Sequence, residues 1–124
     1  MKARGHSVNL TAVIYHVGEN DMSYAPFRRA APEHLRALIQ STRSDLKMPD
    51  LQWIVSQQSP TSNENLDKIP VMEEVAKIAK TDRYLMLVNS LDLPPQPKQL
   101  VLNTGGIIAL GEQLAKTYLQ LLNP

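Results

Sequence analysis

Gly18-Glu19-Asn20-Asp21 has residue types and a position suited to chemistry. The tetrapeptide directly follows an apolar run. Its glycine permits a sharp turn, and its polar side chains gather where that run ends. An Asn amide so placed can donate to an oxyanion developing during acyl transfer, a contribution of about 3 kcal/mol in hydrolases. Gly18, Glu19, Asn20 and Asp21 are therefore the oxyanion and crevice candidates. The competing reading is a plain strand-to-helix turn, because Gly, Asn and Asp are common turn residues.

A catalytic base is harder to find. The histidines are His6, His16 and His34. His6 falls in an expected N-terminal tail, and His34 falls in the expected first turn of a helix, facing solvent. His16 lies near the carboxyl end of a strand, where it can border the crevice; packing or hydrogen bonding competes there with catalysis. No HxxxH pair and no carboxylate cluster offers metal-ligand spacing, so neither a metal nor a cofactor is expected. Asp92 follows a strand but precedes Pro94-Pro95, which favours a turn. Gly105-Gly106 at a helix start offers anion-binding amides without the spacing of a phosphate loop. The chain has no cysteine, which excludes disulfides, thiolate metal sites and a Cys nucleophile.

The elements that must position these residues follow from hydrophobic periodicity. Leu10 to Val17 is β-branched and nearly continuous in apolar character, as suits a strand buried on both faces of a parallel sheet. Leu51 to Val55 and Tyr84 to Val88 read as further strands, and Gln99 to Leu102 as an extension or a fourth. Between them, Leu35, Leu38, Ile39, Thr42 and Leu46 share one helical face, with Pro32 suited to a first turn. Tyr24 to Ala31 is open between a preceding helical turn and a loop. Val71, Met72, Val75, Ile78 and Ala79 mark a second amphipathic helix, with Glu73, Glu74 and Lys77 off the stripe. A last helix runs from about Gly106 to Leu122 through Ile107, Leu110, Leu114, Tyr118 and Leu121, with Asn103 or Thr104 as its N-cap. The order β-α-β-α-β-(β)-α predicts an α/β three-layer sandwich on a parallel sheet of three to four strands, a partial flavodoxin-like fold. Residues 1–124 make one domain, with 1–8 as a flexible tail. Ligands in such sheets sit at the carboxyl ends of the strands.

Taken together, these segments carry a resemblance. Tyr15 to Asp21, Tyr24, Phe27, Ser44-Asp45-Leu46 and Pro49-Asp50-Leu51 resemble the third sequence block of SGNH hydrolases. The likeness is closer to the carbohydrate esterases that include sialate O-acetylesterase and acetylxylan esterase relatives. Trp53-Ile54-Val55-Ser56-Gln57 resembles that family's fourth strand, and Ser90-Leu91-Asp92-Leu93 its fifth-strand exit. Asn103-Thr104-Gly105-Gly106 with Ala109-Leu110-Gly111 is similar to its last motif and final helix. The resemblance implies hydrolysis of O-acetyl esters on sugars as the ancestral activity. It also implies the departures. Val17 stands where the family has Gln, and no Gly-Asp-Ser or Gly-Gln-Ser nucleophile segment or second, oxyanion-donating block occurs in these residues. Lys98 and Val101 occupy the positions of the family's Asp-x-x-His. Val cannot accept a proton, and Lys cannot orient an imidazolium. The expectation is a truncated or degenerate acetylesterase domain, inactive as this chain. The alternative is a non-catalytic α/β module binding a carbohydrate or a protein. A flavodoxin- or receiver-like domain is disfavoured, because neither an acidic pocket cluster nor a phosphate-binding loop is present. A Ser–His pair within bonding reach beside Asn20 would contradict the inactive reading.

Composition sets the remaining expectations. Of the 124 residues, 43% are hydrophobic and 20% charged, as in ordinary globular domains. The 13 basic and 12 acidic residues leave a net charge of +1 without a concentrated basic face, so no nucleic-acid partner is expected. No apolar run approaches the roughly 20 residues of a membrane helix, and no membrane partner is expected. The chain as it stands reads as cytoplasmic, or as secreted or periplasmic if a signal-bearing segment lies upstream. The resemblance implies a sheet order of 2-1-3-4-5, which makes the strand at 10–17 a hydrophobic edge. Such an edge invites a homodimer or a missing N-terminal half.

Overall fold

A computed structural model describes residues 2–3, 5–17, 24–57, 71–88 and 103–123. The N-terminal residues form a small antiparallel pair, β1 (Lys2–Ala3) and β2 (His6–Ser7), turning at Gly5, whose φ of 80° suits a residue without Cβ. The main sheet contains β3 (Ala12–Val17), β4 (Gln52–Gln57) and β5 (Leu85–Leu87), in the order β3-β4-β5. Both pairings are parallel. Ala12 to Val17 lie opposite Gln52 to Gln57, and Trp53 to Val55 lie opposite Leu85 to Leu87. The expected α/β architecture on a parallel sheet is therefore present. Gln99–Leu102, the expected extension or fourth strand, lies outside the described residues.

Among the described residues, three helices complete the fold: α1 (Ala25–Leu46), α2 (Val71–Thr81) and α3 (Thr104–Leu122). Alternation along the strands divides the core into two sides. Val17, Trp53, Val55 and Leu85 form one cluster with Ala31, Leu35 and Ile39 of α1 and Val75 and Ile78 of α2. The opposite side of β4 presents Ile54 and Ser56, both fully buried, and α3 packs there with Gly106 and Leu110 buried. Covering β4 on both faces explains why its central residues Trp53, Ile54 and Val55 are all apolar. Burial of a side chain such as Leu35, Ile39 or Ile54 contributes about 1.5–3 kcal/mol.

Several helical expectations change: Leu38 and Leu46, expected on the apolar face of the first helix, are 39% and 48% exposed, because that face narrows to Ala31, Leu35 and Ile39. The first helix begins at Ala25, so Tyr24 is its N-cap position, Pro26 occupies the first turn and Pro32 lies inside. An interior proline costs about 3 kcal/mol, because it removes a hydrogen bond and crowds the preceding turn. The burial of Ala31, Leu35 and Ile39 on the same helix offsets that cost. His34 consequently sits mid-helix, exposed, rather than in a first turn. In α3, Ile107 is 61% exposed although the spacing had placed it on the buried stripe. The glycine beside it, Gly106, takes the buried position, while Leu110 meets its expectation. In α2 the stripe holds: Val75 and Ile78 are buried, and Glu73 and Lys77 are exposed.

Candidate functional site

The carboxyl ends of β3 and β4 bring together two side chains forty residues apart in sequence. His16 and Ser56 are register partners on adjacent parallel strands. The Nδ1 of His16 lies 2.8 Å from the Oγ of Ser56, within hydrogen-bond distance. By alternation both face the side of the sheet covered by α3, the side of the buried Ile54. Ser56 has no exposed surface, and His16 is half-buried.

The start of α3 belongs to the same end of the sheet. Near its other end, the Tyr118 hydroxyl lies 3.0 Å from Thr11 Oγ1, one residue before β3 begins. The helix therefore runs antiparallel to β3, and its N-terminus points toward the strands' carboxyl ends. Asn103 is the N-cap, and its side-chain oxygen accepts from the Gly106 N–H at 2.8 Å. That bond satisfies one of the helix's orphan donors, the ordinary work of a cap. The amide best aligned with the Gly105-Gly106 motif is thus already occupied.

A Ser–His couple is the core of many acyl-transfer sites, with the imidazole accepting the hydroxyl proton as the oxygen attacks. Here the couple has the right separation but lacks approach. A reacting carbonyl must come within about 3–3.5 Å of the oxygen, and Ser56 offers no accessible surface. A buried hydroxyl also needs a partner, and His16 supplies one. Sequence reasoning placed His16 at the crevice but missed Ser56. The signal lay in their matching positions, each one residue before the end of its strand.

The crevice candidates Gly18, Glu19, Asn20 and Asp21 lie outside the described residues, as do Asp92, Lys98 and Val101. Among the described residues, no group of His, Asp and Glu could hold a metal ion. No helix among them is long and apolar enough to cross a membrane. Among the described residues Tyr24 and Phe27, 56% and 52% exposed, meet edge to face with ring centroids 4.9 Å apart at the start of α1, whereas the strand aromatics form no open platform. Trp53 is 1% exposed and its ring lies 6.4 Å from that of half-buried Tyr15, inside the core. Tyr84 precedes β5 rather than lying within it.

A polar knot holds the opposite end of the sheet. Arg43, in the last turn of α1, donates through Nε and Nη2 to the Leu51 carbonyl at 3.1 and 2.9 Å. It also reaches the Asp82 carboxylate at 2.6 and 3.3 Å and the Tyr84 carbonyl at 3.3 Å. Asp82 in turn accepts from the Tyr84 N–H at 2.9 Å. Both charged side chains are largely buried, 14% and 19% exposed. A cleft of about 390 Å³ opens beside the knot, lined by Arg36, Gln40, Arg83 and Tyr84 among others. The cleft is remote from the crevice, at the entrance to β4 and β5 rather than at their exit.

Residues 1–120 match the sequence model of a family described as carbohydrate esterase, sialic acid-specific acetylesterase. Among curated proteins and among solved structures, none matches the chain.

Proposed function

This chain belongs to the carbohydrate esterase, sialic acid-specific acetylesterase family, and we propose that it is a degenerate or truncated acetylesterase domain that does not hydrolyse O-acetyl esters alone. The family activity requires an attacking hydroxyl and a proton acceptor. In these 124 residues the Asp-x-x-His positions hold Lys98 and Val101, and no Gly-Asp-Ser or Gly-Gln-Ser segment occurs. Neither substituted residue can take a proton from serine at neutral pH.

The single observation that carries the proposal is the burial of Ser56. The described Ser–His couple could have rescued catalysis by a second route. With no surface for an ester to reach, it acts instead as a satisfied polar contact between two strands.

Release of acetate from O-acetylated sialic acid and from a simple aryl acetate tests this directly. The unsubstituted chain and its Ser56→Ala variant are expected to be indistinguishable from buffer. Turnover by the unsubstituted chain that disappears in Ser56→Ala would make the couple a working dyad and overturn the proposal.

A further inference from the structure

The cleft beside the Arg43–Asp82 pair has a composition that the esterase reading does not use. Its volume of about 390 Å³ suits a small molecule, since ligand pockets run from roughly 300 to 1,000 Å³. Ile39 and Ile78, both buried, supply an apolar floor. Around them stand Arg36, Arg43 and Arg83 with a single carboxylate, Asp82. Asp82 is taken up by Arg43, at 2.6 and 3.3 Å. Arg36 meets the exposed Glu33 at 3.5 Å, longer than the roughly 2.7–2.9 Å of a strong charge-assisted bond. Among the described residues no carboxylate pairs with Arg83. The lining thus carries two guanidinium groups beyond its one carboxylate.

Those groups are held in place. Arg36, Gln40 and Arg43 recur at spacings of four and three on α1, so one helical face makes this wall. On the other wall the Arg83 guanidinium lies 4.9 Å from the centre of the Tyr84 ring, whose Arg43 neighbour is at 5.9 Å. The cleft does not depend on what pairs with β3. Its lining comes from α1, α2 and the entries to β4 and β5, and β5 is the sheet edge opposite β3. The order 2-1-3-4-5 that the family resemblance implies adds strands beside β3, away from it. Charge magnitude is also constrained. Helices α1 and α2 both end here, and helix carboxyl ends carry partial negative charge, which favours a single anionic charge over a dianion.

We infer that this cleft binds a compact organic monocarboxylate, its carboxylate held by Arg36 and Arg83 and its apolar body seated on Ile39 and Ile78. The planar fork of a guanidinium matches the two oxygens of a carboxylate. The apolar floor favours a ligand with a body to bury over a bare inorganic anion. Arg43 stays with Asp82 and shapes the floor rather than binding the ligand. The site is separate from the His16–Ser56 end of the sheet, so it stands whether or not the chain hydrolyses esters.

Isothermal titration calorimetry of the whole chain with benzoate, its neutral isostere benzamide and inorganic phosphate tests this. Saturable binding is expected for benzoate, with benzamide and phosphate each at least tenfold weaker. Arg36→Gln and Arg83→Gln should each weaken benzoate about tenfold, the worth of one charge-assisted contact. Both residues are exposed, so their circular dichroism spectra should be unchanged. Arg29→Gln removes the same charge from an exposed site of α1 outside the cleft and should leave benzoate binding as it was. The proposal is overturned if benzoate does not saturate, or if benzamide or phosphate binds as tightly. It is overturned equally if Arg36→Gln and Arg83→Gln weaken benzoate no more than Arg29→Gln does.

Discussion

Replacing Arg43 with methionine should be the most costly single change at the amino end of the sheet. Methionine keeps most of the apolar stem and removes the guanidinium. The guanidinium makes five contacts within 3.3 Å or less, to the Leu51 carbonyl, the Asp82 carboxylate and the Tyr84 carbonyl. Removing one partner of a buried ion pair costs about 3–5 kcal/mol, mostly because the other charge is left uncompensated. Two features favour the lower end. Asp82 keeps the Tyr84 N–H and is 19% exposed, so water can reach it. The Tyr84 carbonyl keeps the Trp53 N–H at 2.8 Å. A loss of about 3 kcal/mol is therefore expected, equivalent to roughly 10 °C in Tm for a chain of this size. Thermal and urea denaturation followed by circular dichroism reads both quantities. Arg43→Lys should recover only part of the loss, because an ammonium cannot reproduce the planar fork. An Arg43→Met variant that melts within about 2 °C of the unsubstituted chain would refute the reasoning, since the ion pair would then behave like an exposed one.

Other substitutions probe the opposite end. Asn103→Ala should cost about 1 kcal/mol by removing the α3 cap, whereas Asn103→Asp should be close to neutral, and denaturant midpoints distinguish them. Ser56→Ala should destabilise by about 1 kcal/mol, the net worth of one hydrogen bond, measurable in urea.

How much of this was legible beforehand depended on the range of the contacts concerned. The buried positions Val17, Leu35, Ile39, Val75 and Leu110 follow from local periodicity, because one face of each element must meet the core. The start of α1 did not, since Pro32 looks like a first-turn residue unless the burial of Ala31 and Leu35 on either side is known. Ile107 misled for a related reason. Spacing marks a stripe, but which edge of the stripe meets the sheet depends on how α3 is tilted. Arg43–Asp82 and His16–Ser56 join residues 39 and 40 positions apart, and no local pattern announces such pairs. Strand register created the second contact, and the first comes from the last turn of α1 meeting the segment between α2 and β5. The crevice residues Gly18 to Asp21 were proposed from motif alone, and they lie outside the described part of the chain.

The most direct test is acetate release from O-acetylated sialic acid by the purified chain, with a serine-directed organophosphorus probe in a parallel tube. Background release and no covalent labelling are predicted, because Ser56 is sealed in the sheet and no proton acceptor stands at Val101. Sustained turnover, abolished together with the labelling by Ser56→Ala, would contradict that.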